Sequence, residues 1–317
     1  MTIESPSASW KDYELVDSGD FEKLERFGTY ILRRPEPKAL WHKSLSEEQW
    51  KKMTHTRFRP GAGFGKAGKE DSGTWEKMRK MEDQWKISYD LGKGPSGNQN
   101  ALALRLGLTS FKHVGVFPEQ APNWNWIFNR TTELTQTLNP GLAPHSETAV
   151  RPRILNLFAY TGAASLAARS AGGDVTHLDS VRQVVTWARQ NMELSHLDGI
   201  RWIVEDAMKF VKRQARRGST YNGIILDPPA YGHGPDGEKW KLDECLFEML
   251  QGVNSILSEE NAFLVLNLYS NGYSASLAET VAKQAFGAKG RFECGELALR
   301  DSFDKALPLS VFVRMVR

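Results

Sequence analysis

From residue 150 onward, apolar runs and amphipathic stretches alternate with a regularity that few folds accommodate. Ile154–Phe158, Val175–Leu178, Ile200–Val204, Ile224–Leu226 and Ala262–Leu268 read as strands. Between and after them, Ala163–Ala171, Val181–Ser195, Ala207–Arg217, Lys241–Leu257 and Ser274–Phe286 read as helices, the first stopped by Gly172-Gly173. Arg291–Leu299 and Ser310–Val316 follow with no helix between them, which predicts an antiparallel pair at the edge. The pattern predicts an α/β fold with a seven-stranded, mostly parallel sheet covered on both faces. In such sheets the ligand site lies beyond the carboxyl ends of the strands.

Before residue 150 the text differs. Tyr13–Val16, Gly28–Leu32, Ile87–Leu91 and Ala101–Leu106 are short apolar pieces between turn residues, as in a β-rich, hairpin-bearing unit. The expected division is a β-rich N-terminal domain over 1–112 and a second domain over 113–317, with 113–150 as its lead-in. Gly61–Gly68 reads as a glycine-dense loop that lacks the ending of a phosphate-binding loop. Residues 33–112 carry 17 basic against 9 acidic side chains, and seven of the ten tryptophans precede residue 130. Cations interleaved with aromatic rings suit nucleic acid, through phosphate neutralisation and base stacking. They equally suit a solvated face over a small aromatic core. On the first reading Arg33, Arg34, Arg57, Arg59, Lys66 and Lys69 contact phosphate, because they flank proline or glycine turns. No run approaches a membrane span, and residues 1–10 lack the basic flank and apolar stretch of a secretory signal. Two cysteines, Cys245 and Cys294, leave no disulfide scaffold or Cys-rich zinc site and point to reducing cytosol; no metal is expected.

The chemistry is concentrated at the strand ends. The first ends in Asn156-Leu-Phe-Ala-Tyr-Thr-Gly162, where Gly162 permits close backbone approach and Thr161 could cap the next helix. The second ends at Asp179, 21 residues after Phe158, the spacing of an acidic residue that grips ribose hydroxyls. The third is followed by Glu205-Asp206-Ala207, where a carboxylate can accept from an adenine amino group. The fourth ends in the rigid turn Asp227-Pro228-Pro229. Asp179 and Asp206 could each be mere helix caps. Their order over four successive strand ends favours a site.

These motifs, with Ala188-Arg-Gln-Asn191, resemble those of class I S-adenosylmethionine (SAM)-dependent methyltransferases, a Rossmann-like fold. The closer likeness is to bacterial large-subunit ribosomal-RNA base methyltransferases. Gly115-Val-Phe-Pro-Glu-Gln120 with Asn123–Trp126 resembles that branch's lead-in, and 1–112 does not resemble its PUA domain. The resemblance implies that Phe158, Ala159, Tyr160 and Gly162 line the methionine end of SAM. It implies Asp179 and Ser180 at the ribose, Asp206 and Ala207 at the adenine, and Glu119 and Gln120 closing the pocket. Asp227 and Pro228 would face the methyl group and the target base. Asn156 replaces the first motif's usual acidic residue.

Two departures bear on the reaction. Methylation of cytosine carbon 5 needs a thiolate nucleophile, but Asn267-Leu-Tyr-Ser-Asn-Gly272 holds no cysteine where that branch places it. Cys245 and Cys294 read as buried apolar residues. The same text resembles the guanine-N7 branch, where a ring nitrogen attacks directly. Ala230 stands where adenine-N6 enzymes carry an aromatic, with Tyr231 next as a stacking candidate. Gly232–Gly237 is a flexible lid candidate; its His233 lacks a visible partner. The expectation is a cytoplasmic enzyme methylating an RNA nucleobase, with Asp227, Pro228 and Tyr231 at the reacting centre. The alternatives are a protein or small-molecule substrate, or a non-catalytic RNA-binding protein that keeps the fold.

Overall fold

The computed structural model describes residues 2–65, 71–93, 99–141, 148–269, 272–287 and 290–317. Lys66, Lys69, the end of the Gly61–Gly68 loop, Ser270 and Asn271 lie outside them. In chain order the strands are β1 (Thr2–Glu4), β2 (Tyr13–Gly19), β3 (Glu22–Phe27), β4 (Tyr30–Pro35), β5 (Thr56–Pro60), β6 (Gly73–Lys77), β7 (Gln84–Lys93) and β8 (Gln99–Gly107). They continue with β9 (Arg153–Leu157), β10 (Asp174–Asp179), β11 (Arg201–Val204), β12 (Gly223–Leu226), β13 (Tyr231–His233), β14 (Lys239–Lys241), β15 (Phe263–Leu268), β16 (Arg291–Arg300) and β17 (Ala306–Val316). The helices are α1 (Glu47–Met53), α2 (Ala121–Thr137), α3 (Ala163–Ser170), α4 (Arg182–Leu194), α5 (Ala207–Arg216), α6 (Leu242–Asn254) and α7 (Ala275–Phe286).

The large sheet has the order β1-β16-β17-β15-β12-β9-β10-β11. Strands β15, β12, β9, β10 and β11 are mutually parallel, while β17 runs antiparallel to both β15 and β16. All seven strands expected after residue 150 are present, and β16–β17 is the expected hairpin. An eighth strand, β1, closes its edge beside β16. The chain steps outward from β9 to β10 and β11, then returns to place β12 on the other side of β9. That reversal opens a crevice between β9 and β12 at their carboxyl ends.

Successive residues of β9 serve opposite faces: Ile154 belongs to one core, Leu155 to the other. One core holds α5, α6 and α7 against the sheet through Phe210, Met249 and Ala282. The other runs without a break from Trp10 and Phe27, through Trp85 and Leu104, to Phe128, Leu166 and Leu309. The N-terminal part, a five-stranded sheet β2-β3-β4-β5-β6 and the hairpin β7–β8, therefore shares a core with the lead-in helix α2 and the large sheet. Strand β3 was not anticipated, because Glu22-Lys-Leu-Glu-Arg-Phe27 shows no apolar alternation. Its Lys23 and Glu25 are buried as ion-paired groups. Among the described residues no helix is long and apolar enough to cross a membrane.

Candidate active site

The loop after β9 has an unusual backbone. Phe158, Tyr160 and Gly162 have φ of 56°, 48° and 92°. Left-handed conformations at two bulky residues are costly and persist only where neighbours over-determine them. Here they do. Ala159 N donates to Leu178 O at 3.0 Å and Tyr160 N to Asp179 Oδ2 at 3.0 Å. Asn191 Nδ2 donates to Thr161 O at 2.9 Å, and Thr161 Oγ1 to Gly115 O at 2.6 Å. Thr161 thus anchors the lead-in; it does not cap α3, whose N-cap is Gly162 without a side-chain bond. A Cβ on Gly162 would stand 3.1 Å from Ala188 Cβ, and one on Gly115 would stand 2.3 Å from the Trp187 ring. The Asn191 amide that braces the loop lies in the motif Ala188-Arg-Gln-Asn191.

Two small compartments flank Phe158. The first, about 60 Å³, is lined by Gln120, Asn156, the 158–164 loop, Asp227 and Asn267. The second, about 40 Å³, is lined by Asp179, Ser180, Glu205, Asp206, Ala207, His233 and Trp240. The cofactor candidates of three strand ends are thereby brought together. Asp179 spends one oxygen on Tyr160 N and the other on Val181 N, and burial still pushes its carboxyl above the usual range. Asp206 does cap α5, accepting from Lys209 N at 2.8 Å through Oδ1, and it also lines the compartment. The roof is the β13–β14 hairpin, paired from Tyr231↔Lys241 to His233↔Lys239, where the sequence suggested a flexible lid. Trp240 Nε1 donates to Pro229 O at 2.7 Å, and its ring centroid lies 4.8 Å from that of Phe158. His233 is partnered after all, by Tyr231 Oη at 3.0 Å.

Asn156 is explained by its neighbours. Its Nδ2 donates to Ser165 Oγ, which bonds His177 Nδ1 at 3.0 Å. Burial lowers the His177 imidazole to about 3, so the row is neutral and an acidic residue would lack a counter-charge there. Asp227 accepts from Asn267 Nδ2 at 2.7 Å, yet burial, with a smaller contribution from the Glu119 charge, pushes it up to about 7. Asn267 Oδ1 is buried without a partner. Pro228 is buried and lines neither compartment.

A third cavity, about 350 Å³, adjoins these between the N-terminal sheet and the large sheet. Pro229, Ala230, Tyr231 and Tyr269 form one wall, and Arg34, Lys38, Asp71, Lys112 and His113 the other. Phe117 lines both this cavity and the first compartment, 5.3 Å from the Tyr160 ring and 6.2 Å from Tyr269. Glu119 and Gln120 part company: Gln120 lines the first compartment, Glu119 the larger cavity, where burial pushes its carboxyl up. Asp71 and His113 belong to no motif and had no sequence signal.

The basic segment is not what its charge suggested. Arg33 and Arg34 are buried, not outward. Arg33 pairs with Glu22 and Glu47, and Arg34 with Glu25 at 2.7 Å. Arg59 is exposed but paired with Glu76, and Arg57 lies 3.5 Å from Glu22. The acidic first 32 residues supply Glu22 and Glu25, while Glu47 and Glu76 come from the basic segment itself. Trp10, Trp50, Trp85 and Trp124 are buried, so they are core residues and not stacking platforms. Cys245 and Cys294 are half-buried rather than fully enclosed.

Comparison with known proteins fits this geometry. The family described as Conserved hypothetical protein 95 matches residues 141–272. The structure of a SAM-dependent methyltransferase from Agrobacterium tumefaciens is 35% identical, with a TM-score of 0.84 over 100% of this chain and 93% of that one. A chain from Streptococcus mutans (17% identical, TM-score 0.67, 98% of this chain, 76% of that one) shares the fold. The ribosomal RNA large subunit methyltransferase K/L of Shewanella frigidimarina is 32% identical over 36% of this chain and 16% of its own length. Its namesake in Magnetococcus marinus is 25% identical over 58% of this chain and 23% of its own length. The chain thus spans less than a quarter of these curated relatives. It belongs to the SAM-dependent methyltransferases, enzymes whose methyl donor is SAM. The residues present suit that cofactor: Asn267 offers an orphaned buried acceptor, and carboxylates stand at two successive strand ends.

Proposed function

We propose that the enzyme methylates a nitrogen of an RNA nucleobase, acting in the cytoplasm. The observation that carries this reading is the 350 Å³ cavity lined by Phe117, Tyr231 and Tyr269 beside Asp227-Pro228-Pro229. Aromatic walls on a cavity of that size suit one flipped planar base. The names of the curated relatives support RNA as the acceptor. No cysteine lines a described cavity, which favours nitrogen over cytosine carbon 5.

In this reading Asp179 and Ser180 hold the ribose of SAM, and Asp206 and Ala207 the adenine. Phe158, Ala159, Tyr160, Gly162 and Gln120 enclose its methionine end. SAM supplies a methyl group made electrophilic by the sulfonium. Asp227, in the first compartment, faces the methyl group; Pro229 and Ala230 border the acceptor, Tyr231 stacks on it, and Glu119 borders it from the lead-in, while the buried Pro228 only shapes the turn. The protein's contribution is alignment and electrostatics.

Mass spectrometry of RNA nucleosides from wild-type and gene-deleted cells tests this. The expected result is loss of one N-methylated base in the deletion. Identical nucleoside profiles would overturn the RNA reading in favour of a protein or small-molecule acceptor.

A further inference from the structure

We propose that His113, backed by Asp71, accepts a proton from the substrate during methyl transfer, so the methyl-accepting atom is a nitrogen that carries a proton. The inference rests on the reading of the larger cavity as the place of the RNA base and narrows which nitrogen is methylated.

The imidazole stands on the wall of that cavity, with Pro229, Ala230 and Tyr231 on another. Its ring centroid is 4.8 Å from Phe117, which in turn packs 5.3 Å from Tyr160 of the cofactor loop. His113 Nε2 lies 2.8 Å from Asp71 Oδ2. With Asp71 ionised, Nε2 carries the hydrogen and Nδ1 is left with the lone pair that can take a proton. Asp71 is held ionised: burial opposes this, but His113 and Lys112 Nζ, 2.7 Å away, keep its carboxyl well below the usual range.

The surrounding charges leave His113 free for this work. Arg34 is bound to Glu25, Lys112 to Asp71, and Lys23 to Glu25 and Glu36. Lys38 donates to Leu309 O, and Glu119 completes the charged lining. Burial, with Lys112 and Arg34, outweighs Asp71 and lowers the imidazole from its ordinary value, so it is neutral near pH 7. Asp227 is less suited, since it lines the first compartment and spends Oδ1 on Asn267.

The step balances simply. The acceptor nitrogen's lone pair forms the bond to the methyl carbon, and the broken C–S pair remains on sulfur. The N–H proton passes to His113 Nδ1 and then to water. An exocyclic amine or a ring N–H needs such a base. Guanine N7, which has a lone pair and no proton, does not.

The test uses the full chain, tritiated SAM and ribosomal RNA from cells lacking the gene, with the labelled nucleoside identified. Wild-type kcat should rise with pH to a plateau. His113→Gln should lower kcat about 100-fold and abolish that rise. KM for RNA and calorimetric affinity for S-adenosylhomocysteine (SAH) should stay within about twofold. Asp71→Asn, a positioning change, should keep the rise but move it to lower pH, because the imidazolium loses its counter-charge. Wild-type kcat and pH profile in His113→Gln overturn the assignment. So does a product methylated at guanine N7 or at carbon, a readout that needs no variant and holds if His113→Gln fails to fold. If the wild type labels no RNA, the RNA reading falls and this assignment with it.

Discussion

The cofactor crevice and the larger cavity meet at Phe117 and Pro229, yet they are built differently. The crevice is made largely of consecutive strand ends, and hydrogen bonds accepted by Leu178 O, the Asp179 carboxylate and Gly115 O set its shape. The larger cavity is made of side chains from β3, β4, the loops near 71 and 112, and the end of β17, held by ion pairs. One is fixed by topology and the other by charge. Each should therefore break in its own way.

The largest effect is expected at Arg34, whose guanidinium and Glu25 partner are both buried. Arg34→Ala leaves buried Glu25 with only Tyr13 and the shared, more distant Lys23, and denaturant unfolding should show a loss of about 3–5 kcal/mol. A loss under about 1 kcal/mol would mean the pair is not structural and would return Arg34 to the phosphate-contact reading. Next comes Asp179→Ala. SAH affinity by calorimetry should fall by about 1–3 kcal/mol if Asp179 holds the ribose as proposed, since the variant also loses the clamp on Tyr160 N. Wild-type affinity there would remove Asp179 from the cofactor contacts.

The smallest effect separates SAM from SAH. Asp227, pushed up to about 7, is protonated below that pH and anionic above it. SAM carries a sulfonium charge that SAH lacks. Raising the pH from 6 to 8 should therefore tighten SAM relative to SAH, by about tenfold if the charges lie close. Asp227→Asn should erase the difference. A SAM-to-SAH ratio independent of pH in the wild type would place Asp227 away from the sulfonium.

The same contrast explains what could be read in the sequence. The strands, helices and end motifs after residue 150 follow local rules, namely apolar runs, glycine turns and acidic strand ends. Thr161 was visible but misjudged as a cap, and Asn156 was visible without a readable role, because their partners Gly115 and Ser165 are set by packing. The segment 33–112 looked like a polyanion surface because a segment's charge omits its partners. Glu22 and Glu25, outside that segment, neutralise Arg33 and Arg34. His113 and Asp71 are 42 residues apart and obey no spacing rule, so only the fold brings them together.

The ring contact of Phe158 with Trp240 has a kinetic meaning. Sites for drug-sized ligands run to some 300–1,000 Å³, far beyond about 60 and 40 Å³. On the proposed cofactor assignment, a nucleoside joined to an amino acid would span both compartments, which requires the Phe158 ring that lines each of them to shift against Trp240. Association that waits on such a rearrangement falls below the diffusional rate however strong the final contacts are. The tempo of cofactor exchange would then depend on the Phe158 ring and on the Trp240 indole packed against it, which is tethered to the carbonyl of Pro229.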